Sequence, residues 1–112
     1  MFDYFYGAQA EQFAFYRVPK VLFTNDRFKY LSAEAKTLYG ILLDRVPLSA
    51  KNGWIDEQGR VYIICTIEEI MADMNCGNKK AIQLLSDLEE KVGLIERKRQ
   101  GLGKPNLIYV KN

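Results

Sequence analysis

The stretch Thr66-Ile67-Glu68-Glu69-Ile70-Met71-Ala72-Asp73-Met74-Asn75-Cys76-Gly77-Asn78-Lys79-Lys80-Ala81-Ile82-Gln83-Leu84-Leu85-Ser86-Asp87-Leu88 decides how this chain folds. Thr66 followed three residues later by Glu69 is a capping box: hydroxyl and carboxylate each satisfy an amide left orphaned at a helix start. Ile67, Ile70, Met71 and Met74 then recur at three- and four-residue steps, the mark of one buried helical face. Asn75-Cys76-Gly77-Asn78 interrupts the pattern. A second amphipathic helix follows, burying Ala81, Leu84, Leu85 and Leu88 and stopping near Gly93. Downstream, Leu94-Ile95-Glu96-Arg97-Lys98-Arg99 leads to a Gly-rich tip, Gly101-Leu102-Gly103-Lys104-Pro105-Asn106, and a returning strand from Leu107 to Val110. Helix, short turn, helix and basic hairpin make the plan of a winged helix-turn-helix.

Upstream, Ser32 is a good N-cap and Glu34 suits the positive end of a helix dipole. Ala35, Leu38, Tyr39, Leu42, Leu43 and Val46 give that helix its apolar face, and Pro47 is expected to end it. Trp54-Ile55-Asp56, the turn Glu57-Gln58-Gly59 and Val61–Ile64 read as a hairpin. The expected class is α+β: a winged helix-turn-helix with three main helices, an additional N-terminal-side hairpin and a C-terminal β-hairpin wing. Residues 1–31 are expected to form an aromatic-rich arm, and residues 32–112 the winged-helix domain. Half of the fourteen aromatics fall within the first sixteen residues. Either those rings cover a small core, or they pack on another subunit.

A chain of 112 residues fits one domain. Net charge is only +2, but its distribution is uneven. From Cys76 onward, Lys79, Lys80, Lys91, Arg97, Lys98, Arg99, Lys104 and Lys111 face only Asp87, Glu89, Glu90 and Glu96, so the rest of the chain is net negative. Positive charge is gathered where phosphate contact would need it. There is no histidine, and Cys65 and Cys76 cannot supply a zinc site alone. Counting permits a disulfide between them, but buried, reduced thiols are expected. No run of residues is apolar enough to span a bilayer, and no signal peptide is visible. A cytoplasmic location is therefore expected, with no cofactor and no metal. No nucleophile or phosphate-binding motif is present, and a turn and a cap account for the carboxylate pairs Asp56-Glu57 and Glu68-Glu69. The chain reads as non-enzymatic.

With its leucines turned inward, the helix after Asn78 presents Lys79, Lys80, Gln83, Ser86, Asp87 and Glu90. Donors gather at its N-terminal end and acids at its C-terminal end, the polarity that suits a helix entering a major groove by its first residues. Asn78 and Gln83 match adenine, Lys79 and Lys80 match guanine or phosphate, and Ser86 lies next along the same face. The same residues would also serve simply to keep a helix solvated. The wing adds Arg97, Lys98, Arg99, Lys104 and Asn106 as contacts to backbone or minor groove, more cations than an inert turn needs. The same scaffold also serves transcriptional regulators and, less often, protein-interaction modules.

At these residues the sequence resembles the N-terminal domain of the replication initiator A proteins of Gram-positive plasmids and related integrative elements. The likeness rests on Phe15–Phe23, Tyr30–Gly40, Lys51–Asp56 with Gly59–Tyr62, and Glu96–Tyr109. It runs from about Phe15 to the C-terminus. The resemblance implies a winged-helix domain that binds repeated origin sequences in double-stranded DNA, typically as a homodimer, without nuclease or polymerase activity. It also implies a further C-terminal domain that engages host replication proteins, so that this chain is the DNA-binding part of a longer initiator. Residues 1–14 match less clearly.

Overall fold

The computed structural model describes residues 2–7 and 13–112; the parts of the expected arm at residues 1 and 8–12 lie outside the described residues. Along the chain run α1 (Val21–Thr24), α2 (Ala33–Asp44), α3 (Val46–Lys51), β1 (Ile63–Ile64), α4 (Ile67–Met74), α5 (Asn78–Ser86), β2 (Ile95–Lys98) and β3 (Leu107–Val110). A 3-10 turn, Asp26–Phe28, follows α1, and a single wide π-helical stretch, Asp87–Lys91, extends α5.

The caps form as their residue types require. Ser32 Oγ accepts from the Ala35 N–H at 3.1 Å. At Thr66 the box closes both ways: its hydroxyl accepts from the Glu69 N–H, and the Glu69 carboxylate accepts from the Thr66 N–H, each at 3.1 Å. The inward faces of α2, α4 and α5 then meet. Ala35, Leu38, Leu42, Ile70, Ala81 and Leu88 are wholly buried, with Leu84 and Leu85 nearly so. Each large side chain removed from water in this way contributes about 1.5–3 kcal/mol.

The sheet has the order β1-β3-β2, all antiparallel. Its register pairs Ile95 with Val110, Arg97 with Ile108, and Ile63 with Ile108. Directly opposed residues share a face, so Ile63, Ile95, Arg97, Ile108 and Val110 look toward the helices. Glu96, Lys98, Leu107 and Tyr109 look the other way.

Two expectations change. Pro47 does not end a helix running through Val46. α2 stops at Asp44, and Pro47 lies in the first turn of α3, where its missing N–H costs nothing. The hairpin expected over Trp54–Ile64 shrinks to one bridge, Ile55 to Val61, around Gly59 (φ +81). Its last residues, Ile63 and Ile64, leave to pair with β3, whose free edge offers backbone partners to a strand arriving beside it. Leu22, Phe28 and Leu31, at the end of the expected arm, lie in the same core cluster as the helices.

Ahead of Leu22, the backbone at Arg17 and Val18 crosses α2 at Gly40. A Cβ added there would sit 2.8 Å from the Arg17 carbonyl oxygen and 2.9 Å from Val18 Cγ2. Only glycine admits so close a passage. The earlier rings stay largely open to solvent. Phe5, Phe13 and Phe15 meet one another edge to face at 6.2 and 6.3 Å, and they and Phe2, Tyr4, Tyr6 and Tyr16 remain at least half exposed.

Candidate nucleic-acid interface

α4 hands over to α5 through Asn75, whose left-handed backbone (φ 52) is one that asparagine tolerates better than most residues. The Cys76 N–H returns to the Met71 carbonyl at 3.0 Å. α5 begins behind Gly77, with no side-chain cap and no acid in its first turn. Its leading amides therefore face outward beside Lys79 and Lys80, a combination that attracts an anion.

The five expected contact residues of this helix are placed as follows. Asn78 is its first residue and is exposed; Lys79, Gln83 and Ser86 follow along one stripe. Lys79 is exposed and pairs with no described acid. Lys80 Nζ lies 3.0 Å from Glu34 of α2. Gln83 Nε2 donates to Asp87 at 2.8 Å, and the Ser86 hydroxyl donates to Glu90 at 3.0 Å. The acids at the rear of the helix thus hold polar groups of its outward face in place.

The wing sorts its cations into different roles. Arg97, expected as a contact to backbone or minor groove, turns inward because it shares the Ile95 and Ile108 side of the sheet. Its Nε donates to Glu89 at 2.8 Å, and its backbone N–H donates to the same carboxylate at 2.9 Å. Burial alone would raise the Glu89 carboxyl, but these Arg97 bonds and charge prevail and hold it below the usual range. Arg97 is a clasp between helix and wing, and strand alternation explains why it faces the helix. Lys98 projects from the opposite face, lining a cavity of about 420 Å³ with Asp56, Arg60 and Tyr62. Arg99 and Lys104 stand exposed at the tip, while Asn106 is half-buried at its base. The loop is closed by Gln100 Nε2 donating to the Pro105 carbonyl at 2.8 Å.

The outer face of the wing is braced by the residual hairpin. Asp56 accepts from the Gln58 and Arg60 N–H groups at 2.9 Å, from Arg60 Nε at 2.8 Å and from the Tyr109 hydroxyl at 3.1 Å. Desolvation pushes the Asp56 carboxyl up, but the bonds from Arg60, Tyr109 and Gln58 outweigh it and bring it to about 2. Tyr62 meets the Tyr109 ring edge to face at 6.1 Å. Behind α4, Arg45 binds Glu69 and Asp73, each at 2.9 Å, fixing the end of α2 to the first helix of the pair. Cys65 and Cys76 are both free thiols, and burial pushes Cys65 up to about 11. Among the described residues no helix is long and apolar enough to cross a membrane.

Sequence reading missed two contributors here. Glu89 could have been paired with Arg97 by noting that Arg97 alternates in phase with Ile95. Glu34 carries no such signal, since its link to Lys80 joins two separate helices.

A helix pair with one cationic end, followed by a clasped β-hairpin, defines a winged helix-turn-helix domain. Residues 14–112 match the family described as “Replication initiator protein A (RepA) N-terminus”, and the chain belongs to that family. Among curated proteins it is similar to the “41 kDa protein” of Lactobacillus helveticus, with 29% identity over 92 residues, covering 82% of this chain and 26% of that protein. The chain thus spans about a quarter of that relative's length. Solved structures show the same fold. “N-Terminal domain of DNA binding protein” is 38% identical with a TM-score of 0.81, covering 100% of this chain and 85% of that one. “Structure of Rep-DNA complex” is 39% identical with a TM-score of 0.81, covering 98% and 84%. “Structure of MDR initiator” is 41% identical with a TM-score of 0.78, covering 98% and 86%.

Proposed function

We propose that this chain binds double-stranded DNA sequence-specifically at repeated origin sites and so starts replication of the plasmid or mobile element that encodes it, with no catalysis of its own. α5 enters the major groove by its first turn, with Asn78, Lys79, Lys80, Gln83 and Ser86 facing the bases and their flanking phosphates. Arg99, Lys104 and Asn106 hold the neighbouring backbone or minor groove, Lys98 approaches from the sheet face, and Arg97 acts through its clasp.

The observation that carries this reading is the Glu89–Arg97 bond. Glu89 lies four residues before Gly93 and Arg97 four after it, so β2 turns back against the last turn of the helix it follows. At about 1.5 Å per helical residue and about 3.3 Å per strand residue, the chain beyond Arg97 is long enough for the wing tip to reach the level of Lys79. This supports a reading in which the exposed cations of helix and tip act at the same end of the domain. The likeness to a Rep protein solved with DNA, at 39% identity, supports the same assignment.

The exposed rings of the arm serve a homodimer, since they stay largely open to solvent on their own domain. A further domain of the kind family members carry engages host replication proteins, and the protein works in the cytoplasm. Footprinting on DNA within and upstream of its own gene tests the central claim. A protected set of repeats, lost with rising salt, is expected; no salt-dependent protection of any duplex would refute it. Gln83→Ala is expected to lower the preference for the protected repeat over random duplex by about 1–3 kcal/mol. An equal loss on both would make Gln83 a positioning residue.

A further inference from the structure

Leu102 is the most exposed large apolar side chain among the described residues, at 104% of its reference area. It stands at the apex of the wing. The Lys104 N–H returns to the Gly101 carbonyl at 3.3 Å, and Gly103 has φ +76. A four-residue turn with that bond and a positive φ at its third position is a type II turn, in which the third residue is glycine or, less often, asparagine. That geometry accounts for Gly103 and requires nothing apolar at its second position, where Leu102 sits. Gly101 (φ +120) removes the side chain on the other flank. A leucine is therefore held outward, between two residues with no side chains, with the exposed cations Arg99 and Lys104 on either side. Nothing in the fold rewards this arrangement: Leu102 meets no core residue, and a polar residue would hydrate the tip better.

We propose that Leu102 is an apolar wedge for the DNA minor groove. It seats against deoxyribose and base edges while Arg99 and Lys104 hold the flanking phosphates, and it favours base steps that unstack easily. This rests on the DNA-binding reading above. Apolar side chains inserted from the minor groove are a recognised means of opening and kinking a base step, and pyrimidine–purine steps yield most readily. Leu102 would then give the wing a sequence preference through deformability, which its cations alone cannot supply.

The test uses a duplex selected by the chain from a random pool, and a copy in which the step under the wing is changed from TA to a stiff AA. Affinity is measured over a salt series, and bending by energy transfer between end labels. Wild type is expected to bend the selected duplex and to prefer TA to AA. Leu102→Ala is expected to bind the TA duplex about ten-fold more weakly, the loss of most of one buried leucine. It should lose the TA preference and the bend while keeping the salt slope, because no phosphate contact is removed. Leu102→Met, of similar size and hydrophobicity, is expected to retain all three properties. Unchanged affinity, step preference and bend in Leu102→Ala would overturn the proposal, as would a flattened salt slope, which would mean that the residue only shapes the turn for its cations. A change in oligomeric state of Leu102→Ala without DNA would also overturn it, by assigning the leucine to a second copy. Wild type that binds no duplex would instead sink the DNA-binding reading, and this inference with it.

Discussion

Arg97 and Lys104 are cations of the same wing, yet removing each should have opposite consequences. Arg97→Met keeps the aliphatic stem and removes the guanidinium. The Arg97 backbone N–H still reaches Glu89, so only the 2.8 Å Nε bond is lost. A hydrogen bond between charged groups contributes about 1.5–3 kcal/mol net when well shielded. These side chains are 25% and 26% exposed, so solvent screening trims the loss to about 1–2 kcal/mol. With a urea dependence of about 1–3 kcal/mol per molar, the unfolding midpoint should fall by roughly 1 M. Melting should drop by about 4–10 °C. The slope of log affinity against log salt should stay where it was, since no phosphate loses a partner. Lys104→Ala should do the reverse: stability within about 0.5 kcal/mol of the parent, and a salt slope shallower by about 0.9. Urea denaturation and a DNA titration at four salt concentrations on both variants decide the matter. If Arg97→Met kept its midpoint and lost slope, Arg97 would be a phosphate contact, and the clasp between helix and wing would carry no weight.

Gly40→Ala should destabilise the protein despite alanine's helix preference of about 1 kcal/mol, because its Cβ would press on the Arg17 carbonyl; proteolysis at Arg17 should quicken, and a gain in stability would show that the crossing is not fixed. Thr66→Ala should cost about 0.5–2 kcal/mol in urea denaturation by opening the capping box. The Asp56 carboxyl is held at about 2 against an ordinary 3.8, so its contribution is complete above pH 4 and fades as pH falls toward 2; a melting-temperature series over that window should steepen in wild type and flatten in Asp56→Asn.

The parts of this fold legible in the sequence are those set by near neighbours. Ser32 and Thr66 cap the helices they were expected to cap, and the apolar steps of Ile67–Met74 and Ala81–Leu88 give the buried faces, because caps and helical periodicity act within four residues. What escaped depends on partners brought from afar. Ile63 and Ile64 read equally well as the end of a local hairpin until β3 arrives, more than forty residues later, to claim them. Arg97 reads as one more charge in a basic run until its register with Ile108 shows which way it points. Pro47 misled for another reason: a proline that stops one helix and a proline that starts the next look alike without the backbone around Arg45. Within the candidate interface, periodicity sets the helix residues on one outward stripe, whereas the acids holding Lys80 and Arg97 were not legible.

The wing is gripped on both sides, by Glu89 on one face and by the Asp56, Arg60 and Tyr62 cluster on the other. It is accordingly a preorganised blade rather than a flap. Much of the disorder that a free hairpin would surrender on meeting a ligand has already been given up during folding. The entropy still to be lost falls mainly on residues 99–106, beyond the end of β2. Changes in that short segment should therefore alter affinity through dissociation, and leave the pose of the blade itself untouched.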